Sequence, residues 1–544
     1  MKVFDFNNPD LYFLIVLTFI NAIALCFLSN KFLQIIQLSD YKIGPYGTWL
    51  KDTKAKWVGR ITMLAFLSFC CVFVTTILFN NFLDNKLFGY LGLIFYFSFV
   101  YVFVSENHKI PQKKPLQITK RMFRLYVVLF LIYALITFVI LATSLSFSYY
   151  LRVSAMVLTP ILVPIMVPFA VILAWPVEKL IYQIYKKRCK KEAKMHQNLT
   201  IIGITGSFGK TSTKNYLAEF LKTKYKVCAT QSSYNTPMGI CKTVHNVLKP
   251  DDEIFIVEMG AKRVGDIKEI CNMVSPNHGI VTAIGEQHLE TFKSLDNIIK
   301  TKGELVDSLS GDDYCVFNVA SENTKKLYDS CTLKNKIAVG IADTQLFAKN
   351  IVATQFGLDF TIVYQDKSYK AHTQILGEHN VQNILCAIAL ALKLGVSIKS
   401  VLQVLPTLKP VEHRLELKHL DNNILIIDDS FNSNIQGTAV ALKTLKLFET
   451  ERKIVVTPGL VELGKMEDTE NYEFGKRIAK VADIVILVGK NQSQNIKNGL
   501  LKNGFDPNNI IMQDSLFEVT NMFKTLLKSG DVVLLENDLP DNYK

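Results

Sequence analysis

Residues 203–214 read GITGSFGKTSTK, with the apolar run LTII before them and the helix-like NYLAEFL after. A strand, a glycine turn and a helix in that order make a phosphate-binding loop. Gly206 and Gly209 free the backbone to aim successive N–H groups at phosphate oxygens, and the helix N-terminus adds its positive end. Lys210 is placed to reach the outer phosphates of ATP, and Thr211 to hold Mg²⁺. The predicted nucleotide set at the loop is Gly206, Ser207, Gly209, Lys210, Thr211 and Ser212. The spacing departs from G-x-x-x-x-G-K-[ST], because Ile204 stands at the first glycine position.

Further along lie residue types that suit metal and phosphoryl chemistry. Glu258 closes the apolar run IFIVE, and oxygen and imidazole ligands can share a metal site with it. Taken singly, each candidate has a plain reading. Glu258 alone is a solvated acid, His288 a hydrogen-bonded structural histidine, and Asn383 a helix cap. Lys302, Gly303 and Glu304 alone are one salt-bridged helix face.

Seven blocks taken in order change that balance: TGSFGKTS, SYNTPMGI, IFIVEMGAKRVGDI, VTAIGEQHLETFKSLDNIIKTKGEL, LGEHNVQNILCAIALA, EHRLE and IIDDSFNSNIQG. Together they resemble the Mur ligases, which join amino acids to cell-wall precursors. The wording is nearest the branch that adds D-alanyl-D-alanine, the MurF type, over about residues 199–543. The resemblance implies a P-loop ATPase central domain, a Rossmann-like C-terminal domain, and ATP with Mg²⁺. It implies metal ligation by Thr211, Glu258, His288 and Lys302, the last being a lysine that becomes carbamylated in several members. It implies nucleotide contacts from His379, Asn380, Asn383, Arg414, Asp428 and Asp429, and catalytic roles for Lys210, Lys302, His288 and Arg414. The reaction implied is amide formation through an acyl phosphate, with an amino acid or dipeptide as the incoming amine.

There are departures. His413 stands where a glycine is usual, and Phe431 and Ile435 replace Tyr and Pro. The C-terminal GDVVLLENDLPDNYK lacks the usual K-G-S run, which leaves the amine open.

The elements that must position these residues differ along the chain. With 544 residues, mean hydropathy +0.22 and 11% aromatics, several domains and a membrane part are expected. Residues 1–200 hold 22 Lys and Arg against 8 Asp and Glu, leaving 39 against 40 in the rest. The basic excess therefore lies beside apolar segments and does not argue for a nucleic-acid partner. Ten cysteines show no metal-ligand spacing.

Five apolar runs, about 11–28, 61–79, 87–104, 125–145 and 155–175, each approach the ~20 residues that cross hydrocarbon. The loops after the first and third runs are basic, as is YKKRCKKEAK after the fifth, whereas the second and fourth loops are not. Basic loops stay cytoplasmic, so the N-terminus is expected outside and everything beyond about residue 176 inside. Prolines 160, 164, 168 and 176 predict a kinked last crossing.

The expected fold is thus a multi-pass α-helical membrane bundle (1–180), a basic juxtamembrane helix (181–198), and two α/β domains (199–410 and 411–544). Soluble Mur ligases carry a UDP-sugar-gripping domain where this chain has the bundle. The resemblance then implies a UDP-linked or lipid-linked envelope acceptor, contact with membrane lipid, and cell-wall synthesis proteins as neighbours. Two rival classes share some features. An ATP-driven transporter also joins a bundle to a phosphate loop, but no Asp-Glu pair ends an apolar strand here. A non-catalytic scaffold would not need Lys210, Glu258, His288 and Lys302.

Overall fold

The computed structural model describes the backbone of residues 9–52, 57–79, 85–109, 115–143 and 149–537, except 197, 233, 288, 343, 432–433, 451, 462 and 490–491. Side chains are described for the same residues apart from 9–10, 52, 76–79, 85–90, 107–109, 143, 149–152, 289–290 and 465. The chain divides into two compact units, Met1–Tyr182 and Gln183–Pro540.

The first unit is helical. Among the described residues, four stretches are long and apolar enough to cross a membrane: Leu11–Leu28, Trp57–Thr75, Lys120–Ala142 and Val153–Met195. The third expected run lies in helix Asn85–Lys109, whose described side chains include the shorter apolar stretch Leu91–Glu106. Large apolar side chains such as Phe19, Phe66, Leu131 and Ile165 face outward. Some polar groups turn inward and find partners there. Asn21 donates to Thr137 Oγ1 at 2.9 Å and accepts from the Tyr96 hydroxyl at 2.8 Å.

Two local features of this unit were not read from the sequence. The first basic loop folds into helices Asn30–Leu38 and Ile43–Asp52, and Phe32, Leu33 and Ile36 are buried. The last run is also broken rather than merely kinked. Helix Tyr149–Val157 gives way to a 3-10 turn, Thr159–Leu162, before helix Val163–Met195 begins. Pro160 and Pro164 cannot donate to carbonyls four residues back, and the turn accommodates them. The Pro164 carbonyl accepts from the Tyr46 hydroxyl at 2.7 Å.

The second unit holds two sheets. Strands β1 (Thr200–Thr205), β2 (Val227–Ala229), β3 (Ile254–Glu258), β4 (His278–Val281), β5 (Tyr314–Asn318), β6 (Asn335–Val339), β7 (Leu346–Thr354), β8 (Gly357–Tyr364) and β9 (Lys367–Thr373) pair in the order β2-β3-β1-β4-β5-β6-β7-β8-β9. The pairs from β2 to β7 are parallel, and β7-β8-β9 form an antiparallel meander. The central strands are buried along their length, which explains their unbroken apolar runs. In the register, Ile204 of β1 lies level with Glu258 of β3. The carboxylate therefore arrives beside the turn that follows β1.

The second sheet is built from β10 (Glu416–Leu420), β11 (Ile424–Asp429), β12 (Lys453–Thr457), β13 (Ile484–Val488), β14 (Ile510–Gln513) and β15 (Val532–Glu536). Their order is β10-β11-β15-β12-β13-β14. All pairs are parallel except β10-β11, as an open doubly wound sheet with one antiparallel edge strand requires.

Residues 183–195 of the long helix belong to this unit and dock on its middle domain. Cys189 and Ala193 pack with Ile240, Cys241 and Val244. Lys186 pairs with Glu269, and Glu192 with His245. The basic stretch after the fifth apolar run is therefore a packed helix end.

Helices Glu467–Ile478 and Ser493–Lys502 cross so closely that only glycine fits at the contact. A Cβ on Gly499 would lie 2.1 Å from the Tyr472 carbonyl oxygen, and one on Gly475 2.2 Å from that of Ile496. Replacing Gly499 with Ala is predicted to destabilise the C-terminal domain by ~1–3 kcal/mol, the usual cost of overpacking. Thermal unfolding should show that domain's transition several degrees lower.

Candidate active site

β1 ends at Thr205 and the next helix starts at Lys210, so residues 206–209 make the whole turn. Gly206 holds φ at +147°, and a Cβ there would sit 1.9 Å from Thr282 Oγ1. The turn is stitched to the end of β4. Ser207 and Phe208 N–H donate to the Ala283 carbonyl, and the Thr282 hydroxyl lies 2.6 Å from the Phe208 carbonyl. Ser207 Oγ donates to the Gly285 carbonyl at 2.9 Å. Thr211 and Ser212 are buried in the first turn of the helix.

Lys210 lies over the turn, its Nζ donating to the Gly206 and Ser207 carbonyls at 2.8 and 3.0 Å. Loss of water lowers its pKa to about 8; Glu258 opposes the fall and Arg414 adds to it. Beneath it, Glu258 is fully enclosed. Its two oxygens accept from Lys214 Nζ and Asn235 Nδ2, each at 3.1 Å. Burial alone would raise the Glu258 pKa, but the Lys214 and Lys210 ammonium groups hold it below the usual carboxylate value.

Lys302 is buried in helix Leu295–Asp307. Burial brings its pKa down to about 7 and Lys210 repels it further, while Asp266 and Glu304 resist. Among the described residues no carboxylate pairs with it at salt-bridge distance. Such a lysine is neutral for much of its time near pH 7.

Helix His379–Lys393 packs beside the loop helix. The Asn383 side-chain oxygen is 2.1 Å from where a Gly209 Cβ would be, so the loop and this helix meet almost backbone to side chain. Asn380 donates to the Leu376 carbonyl and accepts from Asn383 Nδ2 at 3.0 Å. His379 reaches solvent at the mouth, and the crowded protein around it, with Arg414, lowers its pKa. The Arg414 guanidinium stacks over Phe431, 4.7 Å from the ring centre, and interacts with Glu258 and Asp429.

The structure thus gathers Lys210, Thr211, Glu258, Lys302, Arg414, His379 and Asp429 around one cleft. Asp428 turns elsewhere. It accepts from Lys418, His413 and Ser430 within its own domain. His413, Glu416 and Asp428 have donor atoms within 4.8 Å of one another, but the Lys418 ammonium bridges the two acids. The expected metal ligand His288 lies outside the described residues.

Two residues at the centre were not singled out from the sequence. Lys214 follows Lys210 by one helical turn, so the spacing itself put both on one face. Asn235 sits inside the SYNTPMGI block. For Mg²⁺, Thr211 and Glu258 supply oxygen donors of the type it prefers. Lys302 fits such a site only as a carbamate, whose oxygens replace the amine.

Comparison with known proteins agrees with this geometry. The profile of the Mur ligase middle domain matches residues 204–391, and that of the Mur ligase glutamate ligase domain matches residues 413–536. The UDP-N-acetylmuramoyl-tripeptide--D-alanyl-D-alanine ligase of Bacillus subtilis is 29% identical over 338 residues, 62% of this chain and 72% of its own. The Escherichia coli enzyme of that name is 30% identical over 53% of this chain and 64% of its own. For the Mycobacterium bovis enzyme the values are 31%, 54% and 59%. The chain therefore spans about three-fifths to three-quarters of these relatives. MurF from Acinetobacter baumannii superposes with TM-score 0.59 at 22% identity, over 66% of this chain and 78% of that one. MurF ligase from Thermotoga maritima in complex with ADP gives 0.57 at 24%, over 66% and 80%. At those identities the structures speak for the fold.

The Lys302 environment has a measurable cost. Its folded pKa is below the unfolded value, so between pH 7 and about 10.5 the unfolded chain binds more protons and stability rises with pH. In CO₂-depleted buffer, Lys302→Met is predicted to stabilise the protein at pH 7 by ~1–3 kcal/mol. That gain should shrink steadily as unfolding is measured at higher pH.

Proposed function

Since the chain belongs to the Mur ligase family through residues 204–391 and 413–536, a family of ATP-dependent acid–amino acid ligases, we propose that it is a membrane-bound ligase of this kind acting on an envelope precursor. The observation that carries this reading is the clustering of Lys210, Lys214 and Arg414 about Glu258 at a phosphate-type turn, with Lys302 near enough to Lys210 to be repelled by it. Such a cluster suits a polyanion that must be aligned and neutralised.

The chemistry is balanced in two steps. A carboxylate oxygen of the acceptor attacks the γ-phosphorus of ATP, and the bond to ADP breaks. An amine nitrogen then attacks the acyl phosphate carbon, loses a proton and expels inorganic phosphate. Each amide therefore consumes one ATP. Lys210 and the backbone at Gly209 and the helix start hold the phosphates, the Ser207 and Phe208 N–H groups being bonded to the Ala283 carbonyl. Arg414, reaching in from the last domain, neutralises charge on the transferred group. Lys302, neutral near pH 7, adds to CO₂ through Nζ and loses a proton to give a carbamate. Mg²⁺, when held by Thr211, Glu258, His288 and that carbamate, supplies further charge neutralisation to the phosphates. His379, Asn380 and Asn383 form the wall for the nucleotide base.

The relatives are named for joining D-alanyl-D-alanine to a UDP-N-acetylmuramoyl-tripeptide, and that amine is the first candidate. The helical unit precedes the matched ranges and supports a different presentation of the acceptor. Its long apolar helices cross the membrane, counting Asn85–Lys109 as a fifth. Its basic loops and the ligase unit lie on the cytoplasmic side, and the N-terminus lies outside. The bundle then holds a lipid-linked acceptor, or anchors the enzyme among cell-wall synthesis proteins.

The test uses the full chain purified in detergent with ATP, Mg²⁺ and D-Ala-D-Ala. UDP-linked and lipid-linked acid acceptors are supplied in parallel, and products are read by mass. The expected result is a new amide from at least one acceptor, with Lys210→Ala lowering its rate by roughly 10²–10³-fold. ADP formed across a broad set of acids and amines with no C–N bond would defeat the reading.

A further inference from the structure

Arg414 is flanked by two residues in the left-handed region, His413 at φ +60° and Leu415 at +48°. A β-carbon disfavours that conformation; histidine enters it more often than most residues, leucine rarely. Such geometry persists only where neighbours hold it. Here they do. His413 N–H donates to Glu416 Oε2 at 3.2 Å, and its carbonyl accepts from Phe431 N–H at 3.1 Å. Its Nδ1 lies 2.8 Å from Asp428 Oδ2. Leu415 N–H donates to Asp429 Oδ1 at 3.1 Å, and the Leu415 side chain is buried.

Asp428 and Asp429 are consecutive at the end of β11, so their side chains leave the strand on opposite sides. One grips residue 413 and the other residue 415. Arg414 sits between the two grips and is turned over Phe431 toward Glu258. We infer that His413 is a positioning residue: its imidazole, anchored on Asp428, holds the twisted backbone that aims Arg414 into the cleft. Asp428, through that imidazole, and Asp429, through the Leu415 N–H, then serve as clamps for this arginine. Lys418, bridging Asp428 and Glu416, keeps the clamp neutral enough to persist beside them.

This inference rests on the ligase reading, in which Arg414 neutralises the transferred phosphoryl group. The test compares wild type, His413→Gly, His413→Asn and His413→Val as full-length proteins in detergent. Two readouts are taken: kcat and KM for ATP-dependent amide formation, and the rate of trypsin cleavage after Arg414. Glycine accepts the backbone twist but has no anchor. It is expected to lower kcat about tenfold with KM for ATP within about twofold, as misplacement of one catalytic group does. It should also speed cleavage after Arg414. Asparagine tolerates the left-handed region and can donate to Asp428, so kcat should recover to within about threefold of wild type. Valine should be worst on both readouts.

Wild-type kcat and wild-type cleavage in the glycine variant would overturn the inference, as would failure of asparagine to improve on valine. If wild type itself forms no amide, the ligase reading fails. The cleavage rates then decide the positioning role on their own.

Discussion

Lys210, Lys214 and Arg414 converge on one enclosed carboxylate, Glu258, with Lys302 beside Lys210, and all four have lost water. Glu258 cannot satisfy three cations. Its oxygens already accept from Lys214 and Asn235. The remaining positive charge is held in place by the fold, by packing under the sheet and by the tight turn at Gly206. Burial offsets part of it by pushing lysines toward their neutral forms. A site built this way is poor in anions and costs stability while empty. Binding a phosphate chain relieves both conditions, so the same strain that weakens the fold gives the ligand its affinity.

The sheet accounts for how the cluster forms. Parallel strands β1, β3 and β4 end level, so the turn after β1, the acid at the end of β3 and Thr282 after β4 meet at one edge. Arg414 comes from the start of the second domain and completes the ring. The two left-handed residues beside it place a strained joint where the domains meet, and strain of that kind gathers where geometry matters to function.

Much of this was legible from residue order. Gly206, Lys210 and Thr211 announced themselves because the turn needs those residue types between a strand and a helix. Glu258 alone reads as a solvated acid, and it became visible only through the resemblance of the block that carries it. Lys214 escaped notice because a lysine in a helix looks like a solvated face, and only the tertiary fold buries it. Asp428 and Asp429 read as one acidic pair, yet alternation along the strand gives them different partners. In the N-terminal unit, basic side chains hid the apolar spacing of Phe32, Leu33 and Ile36. The break at Thr159–Leu162 looked like a kink because single prolines often make no more than that.

If excess buried cation defines the cleft, filling it with polyphosphate must pull protons back onto the lysines. Calorimetric titration of the full chain with ATP at pH 8, repeated in buffers of different ionisation enthalpy, measures that uptake. Lys210, with a pKa of about 8, should contribute about half a proton on binding. The uptake should fall by about that half proton in a Lys210→Met protein. Binding heats that do not change with the buffer would contradict the account.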